Sequence, residues 1–510
     1  MTNEHPSPLL VLAPADDVAV AMATLPAGSE VTTPAGQVLT IGREIPRAHK
    51  VALHDIAVGE HVHKYGQSIG VATTAIAAGD HVHSHNLGYT EDENSYEFAT
   101  SHTDLPDDFA GRTFEGYRRA DGRVGTRNYV AILASVNCSA STAKMIAEQT
   151  RPYLAEFPGV DGVIALTHGS GCGMIPSSPG GSTLQRTLAG YASHPNVGGV
   201  LLLGLGCEMI QVASITANAP IPSDTLVQEL KIQDEGGIRA TVRAGVEAIR
   251  SMLPELNERR RQPAPISELV LGLNCGGSDG YSGITANPAL GHASDLLVGA
   301  GGTSVLAEVP EVFGAEALLT RRAVSEDVGR KLLDRLAWWR DYAEKGGGSL
   351  DNNPSPGNKA GGLTTILEKS LGAVAKAGHA DLTDVIGYAE PIAGPGLLLM
   401  DTPGYDPVSV TGLVGGGATV VVFTTGRGSV IGARPTPILK VATNTEMYER
   451  MSEDMDVNAG RIADGDASVD TLGVELLEDI IAVASGRHTV SEEMGLGQEE
   501  FVPWQLGAVT

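Results

Sequence analysis

The chain reads as an α/β protein: a small β-rich module at the N-terminus, then a two-part α/β body with mainly parallel sheets. Three observations predict this. From about residue 114 onward, apolar runs of strand length recur, and each delivers the chain into a glycine-rich or polar turn. Helical patterns separate those runs, and strands buried on both faces that alternate with helices are the mark of a parallel sheet. Glycine, 64 of 510 residues, clusters after the apolar runs instead of filling linkers, while aromatics make up only 4%. Such glycines serve backbone that turns with positive φ or approaches a ligand closely. Sites built from loops beyond the strand ends are therefore expected, where α/β sheets hold their ligands.

Residues 1–88 form the β-rich module. Short β-like runs such as 38-VLTIG-42 and 50-KVALHDI-56 are joined by Gly-acidic turns. A near repeat recurs twenty residues apart, 56-IAVGEHVHKYG-66 and 76-IAAGDHVHSHN-86. Residues 89–113, with 91-EDENS-95 and 104-DLPDD-108, are polar and acidic and read as a linker. The first α/β unit spans 114–350. Its strands are 129-YVAILASVNCS-139, 163-VIALTHGSG-171, 200-VLLLGLGCE-208 and 268-ELVLGLNCGGSDG-280, with a helix over 141–157. A second helix is expected over 325–345, with Ser325 as N-cap, Val328, Leu332, Leu333 and Leu336 as its apolar stripe, and Gly346 past its end. The glycine- and proline-rich 346-GGGSLDNNPSPGNKAGG-362 leads into a C-terminal α/β unit, 351–510. Its strands are 396-GLLLMDTPG-404 and 419-TVVVFTTGRG-428, and its final helix covers 469–485.

Composition narrows the function. Thirty-five basic against 61 acidic residues give −26, a surface that repels phosphate backbones and anionic membranes. No basic, apolar leader and no run of ~18 apolar residues is expected to target or anchor the chain. Four cysteines without close pairs predict reduced thiols in the cytoplasm.

All four, Cys138, Cys172, Cys207 and Cys275, fall at the ends of expected strands. If those ends converge, the thiols, His168 and Glu208 share one cleft, and thiolates with imidazole suit iron or zinc. The alternative is that free cysteine is a small residue favoured by burial. In the β module, His61 and His63, and then His81, His83 and His85, alternate onto one strand face. They are either metal ligands or a solvated face, with His83 and His85 the candidates for ligation. The run 276-GGSDG-280 matches a nucleophile elbow, but small and turn residues follow where a helix must begin. The run 169-GSGCG-173 lacks the third glycine and distal acid of a dinucleotide loop, and no P-loop exists.

A long series of motifs follows one family in order: 115-EGYRRADGRVGTRNYV-130, 167-THGSGCG-173, 204-GLGCE-208, 272-GLNCGGSDGYSGITANPALG-291, 307-AEVPEVFGAE-316, 353-NPSPGNKAGGLTTILEKSLG-372 and 424-TTGRGSVIG-432. The chain resembles the altronate/galactarate dehydratase family, and 47-RAHKVALHDIAVG-59 with 64-KYGQSIG-70 resembles its N-terminal SAF-type domain. The resemblance implies a hydro-lyase that converts a 2,3-dihydroxy sugar acid into a 2-keto-3-deoxy acid with a divalent metal, Fe²⁺ before Mn²⁺. An iron–sulfur cluster on three of the cysteines is the alternative. The C2 proton beside a carboxylate is weakly acidic, so metal chelation, a base and an acid are all wanted. His49, Lys50, His168 and Glu308 are the catalytic candidates. Lys359, Lys369, Arg427 and Asp279 are the candidates for holding substrate. His168, Cys138, Cys172, Cys207, Cys275, His83 and His85 are those for metal.

The segments 80-DHVHSHN-86 and 310-PEVFGAE-316 look altronate-type, whereas 114-FEGYRRADGRVGTRN-128 and 492-EEMGLGQ-498 look galactarate-type. D-altronate is the expected substrate, with galactarate next. A branch that eliminates sulfite and a non-catalytic sugar-acid sensor are the further alternatives. The partner is thus a small sugar acid, with neither nucleic acid nor membrane, and the chain a possible homodimer.

Overall fold

The computed structural model describes residues 7–90 and 95–507. Residues 91–94 of the expected acidic linker and residues 1–6 of the module lie outside the described part.

The N-terminal module is built from small antiparallel sheets, the largest of four strands, Leu9–Leu10, Val18–Ala21, Lys50–Ala52 and His81–Val82. The twenty-residue repeat has a structural meaning. Ile56 bridges Ile76 and Leu25 bridges Ile45, so equivalent turns pair with one another. Short strands alternate one buried and one exposed residue, as in Glu30–Thr32 and Val38–Thr40, and the buried members fill a core of Leu25, Val31, Leu39, Ile41 and Ile45. The module is small-β, as its alternation predicts.

Two parallel sheets form the body. The first orders its strands Gly162–Leu166, Tyr129–Ala134, Val197–Gly204, Leu226–Lys231. The second has seven strands in the order Leu382–Ile386, Gly396–Met400, Thr303–Leu306, Val270–Cys275, Val420–Thr425, Ile438–Ala442, Val457–Asn458. Every residue of Val197–Gly204 and Val420–Thr425 is buried, because helices cover both faces of each sheet. The second sheet takes strands from both sides of residue 350, so the division expected there falls inside one sheet. A hydrophobic run shows where a strand lies but not which sheet it joins.

Where helix Pro179–Ala192 of one unit crosses Asp406–Gly416 of the other, a Cβ on Gly190 would meet the Gly415 carbonyl oxygen at 1.9 Å, so only glycine permits this approach. Helix Glu326–Lys345 begins where expected, the Ser325 side chain accepting from the Val328 N–H. Val328, Leu332 and Leu336 of its stripe are buried, while Leu333 is half-buried. Among the described residues no helix is long and apolar enough to cross a membrane.

In both sheets an inner strand has strands that follow it in the chain on each of its two sides. For the second sheet that strand is Val270–Cys275, with Thr303–Leu306 on one side and Val420–Thr425 on the other. The crevice beyond the carboxyl ends of such strands is the natural ligand position of an open α/β sheet. The N-terminal module sits over this crevice. Lys50 and Lys64 of the module reach Glu368 of the body, Thr365 Oγ1 donates to the Ile69 carbonyl at 2.6 Å, and Tyr281 Oη donates to the Ala21 carbonyl at 3.2 Å.

Candidate active site

Cys275 ends its strand with its thiol turned inward. Its backbone N–H donates to Glu308 Oε2 at 3.2 Å, and its sulfur lies 3.5 Å from Glu308 and 3.6 Å from Glu311. Glu308 stands just past strand Thr303–Leu306 in the left-handed region (φ 69°), a conformation that costs a non-glycine residue energy and often marks function. The turn it makes starts the short helix Val309–Val312 and brings Glu311 back to the same point.

Two lysines close this cluster. Lys369, on helix Ile366–Val374, donates to Glu311 at 2.5 Å and to Asn353 at 2.9 Å. Lys376 lies 2.6 Å from the Cys275 sulfur and 3.6 Å from Glu308. Burial, reinforced by Glu311, pushes the Glu308 carboxyl up to about 8, and burial pushes the Cys275 thiol up to about 12. Burial acts the same way on Glu311, but Lys369 and Lys376 outweigh it and hold that carboxyl below its usual value.

A second buried group joins the module to the body. Glu368 takes Lys50 at 2.8 Å and Lys64 at 2.9 Å, together with the Thr364 N–H and hydroxyl. Despite burial, the two ammoniums hold the Glu368 carboxyl far below the carboxylate range. One carboxylate serves two cations, so Lys50 gives up its proton more readily, burial drawing it down to about 8.

Beside it lies an imidazole cluster. His49 Nε2 faces the Ala360 carbonyl at 3.3 Å and Nδ1 faces His81 Nε2 at 3.0 Å, which makes His49 a donor through Nε2 and an acceptor through Nδ1. His83 stacks on His49 and donates to the Lys359 carbonyl at 2.9 Å. Burial, then the neighbouring rings, lowers His49 to about 4 and His81 to about 3, so both are neutral at neutral pH. A cavity of about 120 Å³ opens here at the module–body junction, lined by Arg47, His49, Asp279, Arg427, Glu446 and Arg450. Three guanidiniums around one small cavity suit an anion.

The structure thus places His49, Asp279 and Arg427 around the module–body cavity, His83 against His49 and the Lys359 carbonyl, Lys50 on Glu368, and Cys275, Glu308 and Lys369 in one buried cluster with Glu311. It places some of them differently from the roles their types suggest. The Asp279 carboxylate accepts from Tyr281 N, Ser282, Thr443 and Asn444, which clamps the glycine-rich turn after Cys275. Lys369 is engaged with Glu311 and is not a free anion holder. Exposed His85 contacts Arg43 at the edge of the imidazole cluster, its ring 5.6 Å from that of His81.

His168 lies at the other sheet. Its Nε2 donates to the Ala134 carbonyl at 3.0 Å and its Nδ1 accepts from Ser170, leaving no ring nitrogen for metal or base work. The expected single cleft of four thiols is likewise divided. Cys138, Cys172 and Cys207 are exposed at the first sheet and Cys275 is buried at the second, because strands of similar sequence belong to different sheets.

Glu311, Lys376, Glu368, Lys64 and Asn353 complete the site without having been singled out. Glu311 was within reach, three residues after Glu308 in 308-EVPE-311. Lys376 carried no motif signal.

The donors fit a divalent metal. Cys275, Glu308 and Glu311 each offer an atom within 4.8 Å of the others, and all three are buried. Lys369 and Lys376 balance two charges, yet Glu308 Oε1 is buried with no hydrogen-bond partner among the described residues. A buried carboxylate pair with an orphaned oxygen is relieved by a cation.

Comparison with known proteins agrees in every segment. Residues 7–90 match the altronate/galactarate dehydratase SAF domain, 116–257 the second domain of D-galactarate dehydratase/altronate hydrolase, and 266–509 the C-terminal domain of D-galactarate/altronate dehydratase. Altronate dehydratase of Escherichia coli (strain K12) is 39% identical over 94% of this chain and 95% of its own. Altronate dehydratase of Bacillus subtilis (strain 168) is 37% identical over 89% of this chain and 90% of its own. Galactarate dehydratase (L-threo-forming) of E. coli is 39% identical over 90% of each chain. Full-length similarity at this level, on a fold whose switch point gathers acids, cations and a thiol, places the chain in the altronate/galactarate dehydratase family of carbon–oxygen lyases.

Proposed function

We propose that the chain dehydrates a sugar acid, D-altronate first and galactarate next, to a 2-keto-3-deoxy acid in a metal-dependent reaction. The observation that carries this reading is the buried Cys275–Glu308–Glu311 set at the strand switch point, close to an arginine-lined cavity. Cys275, Glu308 and Glu311 hold the metal, Fe²⁺ before Mn²⁺, which when bound supplies Lewis-acid polarisation of the substrate's carboxylate and 2-hydroxyl. Arg427 draws the anion into an otherwise acidic protein, and Lys359, next in the chain to the cavity residue Ala360, is the second holder. Asp279 positions the Gly276–Gly280 turn under the substrate. His49, neutral and hydrogen-bonded through both ring nitrogens, orders the cavity wall. Lys50, drawn down to about 8 by burial, is the module's proton-transfer group: its free amine takes the C2 proton and its ammonium returns that proton to the departing 3-hydroxyl. Lys369 and Lys376 keep Glu311 charged.

The test is anaerobic turnover of a panel of aldonic and aldaric acids with Fe²⁺, Mn²⁺ or EDTA, scored by 2-keto-3-deoxy acid formation. Turnover of D-altronate that EDTA abolishes and Fe²⁺ restores is the expected result. Turnover untouched by EDTA overturns the metal, and turnover of galactarate alone overturns the substrate.

A further inference from the structure

The first parallel sheet has a switch point of its own, and three of the four cysteines stand on it. Strand Tyr129–Ala134 lies between Gly162–Leu166 and Val197–Gly204, and the loops leaving these strands carry Cys138, Cys172 and Cys207. Neighbouring strands lie ~4.8 Å apart, so three adjacent ends span about 10 Å. The loops interlock. Asn137 N–H donates to the Ser170 carbonyl at 3.0 Å, Asn137 Nδ2 to the His168 carbonyl at 3.1 Å, and Met209 N–H to the Cys172 carbonyl at 3.4 Å. A Cβ on Gly171 (φ 99°) would meet the Ser135 carbonyl oxygen at 2.5 Å, so glycine lets the Cys172 loop lie against the central strand.

The other polar side chains at this floor are already satisfied. His168 uses both nitrogens, and Glu208 accepts from the Ser135 hydroxyl at 2.7 Å and the Gly206 N–H at 2.6 Å. The three thiols alone face outward, free and exposed. Ile175 and Met209, three and two residues from Cys172 and Cys207, are 56% and 55% exposed, an apolar surround of the kind that limits solvent access to a metal centre. A cavity of about 310 Å³ opens alongside, lined by Asn137, Lys144, His168, Gly169, Phe501 and Gln505.

We propose that Cys138, Cys172 and Cys207 hold an iron–sulfur cluster through three thiolates, leaving one iron to a ligand from the cavity. All-thiolate sites select zinc, Cu(I) or iron–sulfur clusters. Structural zinc takes four protein ligands, and this floor offers three. A single ion also requires its donors close together. Among the described residues only Cys275, Glu308 and Glu311 meet within 4.8 Å, and the three exposed cysteines do not. A cluster bridges the wider gap because its own iron and sulfide fill it. This centre is separate from the Cys275 site and stands or falls without it.

The test is the full-length protein reconstituted anaerobically with iron and sulfide, assayed for iron, acid-labile sulfide and visible charge-transfer absorption. Wild type is expected to carry iron and labile sulfide in equal amounts. C138S, C172S and C207S should each lose most of the sulfide, while C275S retains it. The unsubstituted protein gives a second reading by mass spectrometry: the cluster shields these three thiols from iodoacetamide until it is stripped. Iron bound without sulfide, no sulfide in wild type, or equal sulfide in all four variants overturns the proposal.

Discussion

Lys376 holds its ammonium 2.6 Å from the sulfur of Cys275, and neither residue is more than 2% exposed. The cation and Glu308 at 3.6 Å seal the thiol against reagents from solvent. Iodoacetamide applied to the chelator-stripped native protein should therefore label Cys138, Cys172 and Cys207 and spare Cys275 until urea unfolds the chain. Native labelling of Cys275 at the rate of the other three would show that the crevice is open.

Glu368 is, among the described residues, the one carboxylate paired with both buried lysines Lys50 and Lys64. Glu368→Gln leaves both ammoniums buried without a counter-charge, a change expected to cost ~3–5 kcal/mol in urea unfolding. The folded carboxyl sits below its unfolded value, so its contribution is complete at neutral pH and lost as pH falls below about 4.3. The variant should also show a shallower loss of stability in acid than wild type. A variant as stable as wild type would mean that the module is not anchored by this group.

Buried neutral histidines add a second acid sensitivity at higher pH. His49 and His168 are lowered to about 4 and His194 to about 3, in each case chiefly by burial. The unfolded chain binds these protons first, at about 6.5. Stability is level above that value and falls below it, by up to ~1.4 kcal/mol per pH unit for each histidine. Urea midpoints measured across this window should decline, and His194→Gln should decline less. A midpoint flat down to about pH 4.5 would contradict the neutral, buried assignment.

Arg427 lines the anion cavity, and no carboxylate pairs with it among the ion pairs of the described residues. Losing a charge-assisted hydrogen bond worth ~1.5–3 kcal/mol should raise KM for the sugar acid at least ~10-fold in Arg427→Ala while kcat changes little. An unchanged KM would move the substrate carboxylate elsewhere.

Much of this site was legible in particular residues. Glu308, Cys275 and Arg427 follow apolar runs that ended as strands of one sheet, and His49–Lys50 lay in a motif of the module. Glu368 was hidden because a carboxylate in the first turn of a helix looks like any surface acid until its partners are known. Lys376 was hidden for the same reason. His168 misled because a histidine beside glycines resembles a ligand, and its hydrogen bond to the Ala134 carbonyl comes from a strand thirty-four residues earlier.

By itself the sequence determined the local elements, the module–body order and the family, because hydrophobic period, turn chemistry and long motifs are properties of contiguous residues. Only the tertiary structure decided which strand ends meet. That decision separated Cys275 from Cys138, Cys172 and Cys207, and it brought Lys50 and Lys64 onto Glu368 across some three hundred positions. The reason is physical. Strand order and the docking of the module depend on how whole buried faces pack, and no short stretch of chain encodes its distant neighbour.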